Sequence, residues 1–308
     1  MTKDDASPVT IGDFASQAVI ARALTSAGIM HGGLVAEESA AFLKQPEHKA
    51  HLAACLAALH DSGAWPSATP DDLISAVDLG GADPSILTSD SGGWTLDPID
   101  GTKGFLRGEQ YCISLAFIRK GVVELGVLGC PNLSPDSDID RISSTGSIYA
   151  AIRGRGANLI TFSGKAIMET PLERRAIAPN HPARLAESVE TSHTRKDFAA
   201  DIMKLAGPVG PPINMDSQAK YALLARSDAD VYLRLPSKKG YIERIWDHAA
   251  GALLAQEAGC TVTDIHGNDL DFSQGRGLEK NAGILGAPPQ FHARLLAAAR
   301  EVLKEPLA

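Results

Sequence analysis

Residues 94–104 read W-T-L-D-P-I-D-G-T-K-G, and this stretch brings two carboxylates, a free carbonyl and a hydroxyl into one short turn. The carboxylates are those of Asp97 and Asp100. The proline between them fixes one backbone angle and the glycine after them relieves the turn. Both carboxylates and the Ile99 carbonyl can therefore converge on one point. Because ligation by oxygen alone selects Mg²⁺ or Mn²⁺ over zinc, the stretch predicts a site for hard cations.

Thr102 follows this turn directly and offers a hydroxyl that can hold a water molecule or a phosphate oxygen beside the metal ions. A second interpretation stays open, because Asp-Pro and Asp-Gly pairs are common in surface turns that bind no metal. The stretch alone does not decide between the two. The decision depends on what the rest of the chain supplies.

The composition is typical of a globular protein. The 308 residues suffice for two domains or one large one, and the hydrophobic fraction of 44% is ample for a buried core. The net charge is −8, and no block of Lys or Arg could follow a nucleic-acid backbone or an anionic membrane. We therefore expect neither a nucleic-acid polymer nor a membrane as a partner.

The cysteines and the first residues indicate a reducing compartment. Because the chain has no C-x-x-C pair and no zinc-like His spacing, we expect buried thiols and no disulfides. The start M-T-K-D-D-A-S-P has no apolar signal core, and no apolar run approaches the roughly 18 residues of a membrane span. We expect a cytoplasmic protein. The cysteines are Cys55, Cys112, Cys130 and Cys260.

The order of predicted elements indicates an α/β protein, with an α+β half followed by a half in which strands and helices alternate. We place the two domains at 1–168 and 169–308. The second includes a short hairpin around His266. In the first half we predict helices at 13–26 and 47–60, a mostly irregular stretch at 62–91, a hairpin at 111–128 and a strand pair at 147–152 and 158–162. In the second half we predict helices near 195–206 and 217–226 and at 246–258 and 290–304, and strands at 229–235 and 282–285.

Further acidic residues stand at the predicted ends of elements, where side chains from distant segments can meet. Asp13 begins one predicted helix, and Asp247 lies at the start of another, predicted at 246–258. Glu37 and Glu38 follow a short strand. Each has an ordinary explanation, because acids are favoured near the positive end of a helix. Taken singly, capping explains the two aspartates better than catalysis does, and the glutamates fit a solvated helix start.

Three motifs, in this order, carry a resemblance to a known family: V-A-E-E-S at 35–39, W-T-L-D-P-I-D-G-T-K-G-F at 94–105 and I-W-D-H-A-A-G at 245–251. The chain resembles the lithium-sensitive, Mg²⁺-dependent phosphatases of the inositol monophosphatase superfamily. Within it, M-D-S-Q-A-K-Y at 215–221 and V-Y-L-R-L-P at 231–236 resemble the 3′(2′),5′-bisphosphate nucleotidases. The resemblance extends over nearly the whole chain. It implies a layered α/β/α/β/α sandwich with the active site between its two halves.

The resemblance also implies which residues form the site. Asp13 and Thr102 would form the pair that activates the attacking water. The implied metal ligands are Glu37, Asp97, the Ile99 carbonyl, Asp100 and Asp247. The implied substrate-binding residues are Thr102, His193, Ser217, Lys220, Arg234 and Asp247.

The chemistry of these side chains agrees with a nucleotide that carries two phosphates. Lys220 and Arg234 can bind the phosphate that stays on the nucleotide, and Ser217 can donate a hydrogen bond to it. His193 could contact the nucleoside. Without the family pattern, His193 fits a surface histidine and Lys220 a solvated helix lysine. Cys130 ends an apolar strand and has no Arg-rich phosphate loop, so we interpret it as a core residue.

The sequence therefore predicts a Mg²⁺-dependent phosphatase that hydrolyses adenosine 3′,5′-bisphosphate to AMP and phosphate by direct attack of water. We expect two to three Mg²⁺ ions, replaceable by Mn²⁺, inhibition by Li⁺, and a monomer. 3′-Phosphoadenylyl sulfate is a further candidate substrate. Two alternatives remain open: an inositol phosphatase, which the same metal site would serve, and a sensor that binds nucleotide without hydrolysing it.

One departure from the family pattern concerns the N-terminus. Relatives usually carry a helix ahead of the segment S-P-V-T-I-G-D, whereas this chain begins almost directly with it, at residue 7. We therefore expect an apolar face that such a helix would cover to be exposed. The alanine at position 36, where relatives often have glycine, should not disturb Glu37.

Overall fold

The described residues form two β-sheets, of seven and five strands, and eight α-helices in this computed structural model. They are residues 9–136, 138–139, 142–164, 166–178, 180–189, 195–236 and 240–303. The helices are α1 (Ile11–Ser26), α2 (Lys49–Asp61), α3 (Pro70–Asp78), α4 (Thr102–Leu106), α5 (Lys196–Ala206), α6 (Ala219–Arg226), α7 (Ala249–Glu257) and α8 (Pro289–Val302). The strands are β1 (Leu34–Ala36), β2 (Gly93–Asp100), β3 (Cys112–Arg119), β4 (Val122–Cys130), β5 (Ser147–Ile152), β6 (Ala157–Ser163), β7 (Ala166–Leu172), β8 (Leu185–Glu187), β9 (Ile213–Asn214), β10 (Val231–Arg234), β11 (Thr261–Thr263) and β12 (Ile284–Ala287).

The seven-stranded sheet follows chain order from β1 to β7. β1 pairs in parallel with β2, and every later neighbour is antiparallel. The predicted β3–β4 hairpin and β5–β6 pair are confirmed. Along β3, buried and half-buried residues alternate, as expected for a strand with one face against the core. The sheet therefore has one well-covered face.

The five-stranded sheet has the order β11-β12-β10-β8-β9. β8 is parallel to both β9 and β10, whereas β12 is antiparallel to β10 and β11. The hairpin predicted around His266 is not formed, because β11 pairs with β12 instead of with a strand directly after residue 266. The Asp264 side chain instead closes residues 264–268 into a turn, since its Oδ1 accepts the amides of His266 and Asn268 at 2.9 and 2.8 Å.

The helices lie in three layers around the two sheets. α1 packs on β2, with α2 and α3 against α1. α6 and α7 lie between the sheets, where one continuous apolar core joins both. α5 and α8 pack together on the outer face of the five-stranded sheet, around a second core. The predicted α/β/α/β/α sandwich is therefore confirmed.

Residues 62–91 differ from the prediction of a mostly irregular stretch. They contain α3, which begins with a capping box: the Thr69 hydroxyl accepts the Asp72 amide, and the Asp72 carboxylate accepts the Thr69 amide at 2.9 Å. Pro70 occupies the first helical position, where its missing N–H costs nothing. The signal T-P-D-D was thus present in the sequence, although the Gly, Pro and Ser residues around it obscured the helix.

The predicted boundary between residues 168 and 169 falls inside β7. This strand pairs with β6 from Ala166 to Leu172, so the first sheet ends at Leu172 and the second begins at Leu185. β7 is largely exposed along its length and lacks an alternating pattern. Its backbone pairing with β6, rather than its side chains, explains why it forms a strand.

The cysteines are buried free thiols, as predicted. Cys130 ends β4 at 1% exposure, in agreement with a core role. Burial raises the pKa of the Cys55 thiol to about 12, so this thiol stays protonated and unreactive at neutral pH. Among the helices in the described ranges, none combines the length and apolar character that a membrane crossing needs.

The face of the seven-stranded sheet opposite α7 is partly open. Ile152, Phe162 and Ile167 are 44%, 51% and 64% exposed. The strand registers place Ile152 in one cross-strand row with Phe117, through Leu125. Apolar side chains on this face of the described sheet are therefore accessible to solvent.

Gly126 is needed where α7 crosses β4. A Cβ at this position would lie 2.8 Å from the Ala250 carbonyl oxygen and 2.9 Å from the Ala250 Cα, and neither backbone atom can move cheaply. We expect Gly126→Ala to lower the free energy of unfolding by about 1–3 kcal/mol, as overpacking does. Urea denaturation at neutral pH would measure the loss.

Gly129→Ala is the matched control, because it lies in the same strand and its Cβ would sit 3.8 Å from the nearest atom, in Ile113. We expect this change to stay within about 0.5 kcal/mol of the parent. Equal losses for the two variants would contradict the packing argument.

Candidate active site

Three aspartates from two distant segments meet at one end of the seven-stranded sheet. Asp97 and Asp100 lie at the end of β2, and Asp247 lies in the helical turn just before α7. One carboxylate oxygen from each lies within 4.8 Å of the others. Asp97 is buried, and the other two are half-buried. The structure thus brings together three of the predicted metal ligands.

The end of β2 is shaped to present both of its aspartates. Pairing with β3 is regular up to Asp97 and resumes only at Asp100, so the chain bulges between them. The Ile99 amide donates to Asp97 Oδ1 at 3.1 Å, which fixes that carboxylate. Gly101 then adopts a φ of +86°, a left-handed angle that favours glycine, and turns the chain into α4.

Glu37 joins the aspartates from the neighbouring strand. β1 runs parallel to β2, and the Glu37 amide donates to the Leu96 carbonyl at 3.0 Å. The carboxyl ends of parallel neighbours meet at one edge of a sheet, and the Glu37 carboxyl lies close enough to Asp97 to raise the pKa of Asp97. The backbone of Glu38 is held separately, by the Gln17 side chain of α1.

Burial and mutual repulsion raise the pKa values in this cluster. The pKa of Asp97 lies well above its ordinary range, chiefly because the side chain is buried and then because neighbouring carboxylates are close. The pKa of Asp247 also lies well above its ordinary range, chiefly because the side chain is buried and then because the Asp100 carboxylate is close. Burial also raises the pKa of Asp100, although the Lys220 ammonium opposes that shift. Packed carboxylates of this kind are costly unless a cation balances them.

The donor set fits a hard divalent cation. All its side-chain ligands are carboxylates, and the Ile99 carbonyl accepts a hydrogen bond from Thr102 Oγ1 at 3.2 Å. Glu243, Asp247 and His248 form a second possible group within 4.8 Å. In that group, Glu243 Oε2 and His248 Nε2 are hydrogen-bonded to each other at 3.2 Å. The all-oxygen group is therefore the better candidate for a cation.

Asp13 lies in the first turn of α1, where it completes a capping box with Thr10 as the N-cap. Its Oδ2 accepts the Thr10 amide at 2.8 Å and the Thr10 hydroxyl at 2.6 Å, so Asp13 helps to cap α1 from the third helical position, although Thr10 and not Asp13 is the N-cap. The start of α1 also packs on the aspartate turn, because Ser16 Oγ donates to the Pro98 carbonyl at 3.0 Å. The pairing of Asp13 with Thr102 stays a prediction.

Ser217 and Lys220 lie at the start of α6, beside Asp100. Ser217 has a φ of +69°, and the next amide, of Gln218, donates to Asp100 Oδ2 at 2.5 Å. Lys220 is 4% exposed, and its Nζ donates to the Met215 carbonyl at 3.0 Å. Burial lowers its pKa to about 8, although the Asp100 carboxylate raises it. The interpretation of Lys220 as a solvated surface lysine is therefore wrong.

Arg234 reaches the carboxylates from β10 and is held by a chain of buried groups. Its Nε donates to Glu243 Oε1 at 2.7 Å, and its Nη2 to the Tyr241 hydroxyl at 3.2 Å. Glu243 also contacts His248, whose Nδ1 lies 3.0 Å from the Tyr221 hydroxyl. Burial raises the pKa of Glu243, but Arg234 and His248 together lower it to about 2. Glu243 is therefore ionised and fixes the Arg234 guanidinium.

Sequence reasoning missed the residues that support the turn before α7. Gln218 Nε2 and Ser114 Oγ both donate to the Trp246 carbonyl, at 2.7 and 3.0 Å. Glu243 and His248 were missed as well. Gln218 and His248 lie inside motifs that the sequence already singled out, which was an available signal. No sequence signal pointed to Ser114, because it lies in a strand outside those motifs. His193 lies outside the described residues.

Comparison with known families gives a match over most of the chain. Residues 30–304 match the model of the inositol monophosphatase family. A 3′(2′),5′-bisphosphate nucleotidase of Emericella nidulans is 40% identical over 329 aligned residues, which cover 99% of this chain and 91% of the relative. A nucleotidase of the same name from Schizosaccharomyces pombe is 39% identical and covers 93% of this chain and 82% of the relative.

Solved structures share the fold. An IMPase of Thermotoga maritima superposes with a TM-score of 0.51 at 21% identity, over 69% of this chain and 70% of that one. The extragenic suppressor protein suhB of Bartonella henselae gives a TM-score of 0.50 at 20% identity, over 68% and 70%. At these identities the likeness concerns the fold alone.

Proposed function

The chain belongs to the inositol monophosphatase family, and on this premise we propose that it is a Mg²⁺-dependent 3′(2′),5′-bisphosphate nucleotidase. The substrate is adenosine 3′,5′-bisphosphate, and the products are AMP and phosphate. One observation carries the proposal: Lys220 and Arg234 lie beside the carboxylate cluster and both influence the pKa of Asp100. A cation site with two adjacent basic groups suits a substrate with two phosphates.

The proposed metal site would hold two to three Mg²⁺ ions, with Mn²⁺ as a substitute and Li⁺ as an inhibitor at one of the positions. When bound, these ions would lower the pKa of a water molecule and offset negative charge on the transferring phosphoryl group. The residues that would hold them are Glu37, Asp97, the Ile99 carbonyl, Asp100 and Asp247.

The chain's own groups handle the water and its proton. In the proposed reaction the Thr102 hydroxyl orients the water, and the Asp13 carboxylate receives its proton through Thr102. The water oxygen bonds to phosphorus, the bond from phosphorus to the 3′ oxygen breaks, and that oxygen leaves with a proton from solvent. Cys130 is buried in the core and is not placed to act as a nucleophile, and the proposed reaction proceeds by direct attack of water.

In this proposal the second half of the chain binds the rest of the nucleotide. Lys220, Arg234 and Ser217 bind the phosphate that is retained, His193 contacts the nucleoside, and Asp247 contacts the substrate as well as the metal ions. In this proposal the first half, residues 1–168, supplies most metal ligands, and the site lies between the halves of a monomer.

Phosphate release measures this function directly. We expect release from adenosine 3′,5′-bisphosphate with Mg²⁺ to be faster than from inositol 1-phosphate and to be inhibited by Li⁺. Removal of Mg²⁺ by EDTA should abolish it, and added Mg²⁺ should restore it, because the ions would lower the pKa of the water and offset the charge on the phosphoryl group. 3′-Phosphoadenylyl sulfate, tested beside the bisphosphate, shows whether it is a second substrate.

Two other outcomes would replace the proposal. Faster cleavage of inositol 1-phosphate would identify an inositol phosphatase. A folded protein that cleaves neither compound, yet gains thermal stability with adenosine 3′,5′-bisphosphate, would be a nucleotide sensor.

A further inference from the structure

An ion pair joins the helix that begins with Thr102 to the turn that contains Ser217. Arg107 follows the last residue of α4, and its Nη2 contacts Asp216 Oδ2. The Asp216 side chain is 6% exposed, and its other oxygen accepts Ser188 Oγ at 3.2 Å. Both oxygens of this buried carboxylate are therefore held. A buried carboxylate that is bound through both oxygens holds its chain segment in a fixed position.

The two segments are also in close backbone contact. A Cβ at Gly101 would lie 2.9 Å from the Cβ of Ser217, and a Cβ at Gly104 would lie 3.2 Å from the Cβ of Asp216. No side chain separates α4 from the Asp216 turn at these two points. A small shift of either segment is therefore passed directly to the other.

The pair lies between the two groups of proposed site residues. At one end, α4 carries Thr102, next to the aspartate turn. At the other end, Asp216 directly precedes Ser217, and the Met215 carbonyl holds the Lys220 ammonium at 3.0 Å. Displacement of the Asp216 turn would move Ser217 and Lys220 relative to the metal site. A misplacement of about 1 Å in such a site can cost about a hundredfold in rate.

We propose that Arg107 and Asp216 are positioning residues that hold Ser217 and Lys220 in register with Thr102. The retained phosphate of the nucleotide then reaches its partners while the transferred phosphate lies at the metal ions. This inference rests on the proposed function. It concerns nucleotide alignment, although the Gln218 amide, two residues after Asp216, also donates to the proposed metal ligand Asp100.

The test compares Arg107→Gln, Asp216→Asn and the double variant in the full chain. We expect each single change to lower kcat/KM for adenosine 3′,5′-bisphosphate about 10- to 100-fold, with KM carrying most of the change. The double variant should lose no more than the worse single variant, because the two residues act as one unit. The rise in melting temperature on adding Mg²⁺ should stay as in the parent, since neither substitution replaces a proposed metal ligand.

Arg119→Gln is the matched control. Arg119 likewise pairs with a carboxylate, that of Glu124, but on the β3–β4 hairpin, where the two side chains are 46% and 34% exposed. Its loss should leave kcat/KM within a factor of two of the parent, as for surface pairs in general.

Three other results would overturn the inference. Parent-like kcat/KM in both single variants would overturn the inference and leave the nucleotidase function intact. A loss of the Mg²⁺ response together with activity would also overturn it, because the pair would then be a general structural support. A parent protein that does not hydrolyse the bisphosphate would overturn the proposed function and this inference together.

Discussion

Replacement of Asp100 by asparagine is expected to lower kcat for adenosine 3′,5′-bisphosphate about 100- to 1,000-fold, the scale of losing a principal electrostatic contribution. Asp100 is one of the three aspartates whose carboxylate oxygens all lie within 4.8 Å of one another. Asparagine keeps the size of the side chain and removes its charge. Steady-state phosphate release at saturating Mg²⁺ would measure the effect.

The same change separates catalysis from folding. Because burial raises the pKa of Asp100, its negative charge is unfavourable in the metal-free fold at neutral pH. We therefore expect Asp100→Asn to melt in EDTA at or above the temperature of the parent, and to lose the rise in melting temperature that Mg²⁺ gives the parent.

Asp90→Asn is the control for this experiment. Asp90 is 91% exposed and pairs only with the exposed Lys120 among the ion pairs of the described residues, so its loss should change neither rate nor Mg²⁺ response. Asp100→Asn that keeps more than about a tenth of the parent kcat would refute the assignment of Asp100 as a metal ligand.

Lys220→Met should raise KM for adenosine 3′,5′-bisphosphate about 10- to 100-fold, the range for losing a charge-assisted hydrogen bond to a phosphate. Methionine fills nearly the same volume, which matters because Lys220 is 4% exposed and a smaller residue would leave a cavity. The change in kcat should be smaller than the change in KM, since the retained phosphate does not react.

The control is Lys204→Met on α5, where the lysine is 72% exposed and pairs with Asp201. It should leave both constants unchanged. A fall in kcat with an unchanged KM for Lys220→Met would show that the ammonium acts on Asp100 instead of on the nucleotide. The substrate assignment of Lys220 would then be wrong.

Local sequence signals accounted for much of the fold. The β3–β4 hairpin, the helices near both ends and the turn at residues 94–104 were readable, because alternation, helical periodicity and Pro-Gly placement act over a few neighbouring residues. α3 was missed although its cap, Thr69 with Asp72, is a local signal. β7 could not be read in this way, because its pairing with β6 supplies the reason for its extended shape.

The sequence by itself determined which chemical groups meet at the candidate site: the carboxylates of Asp97, Asp100 and Asp247, and the basic residues beside them. Only the tertiary structure decided how those groups are held. It buried Lys220 beside Asp100, and it paired Arg107 with Asp216 across 109 positions of the chain. The reason is physical. Periodicity and turn chemistry depend on neighbouring residues, whereas the partner of a buried charge is set by how the whole chain folds. Burial removes the charge from water, so a charged or polar partner is then needed to offset the cost of desolvation.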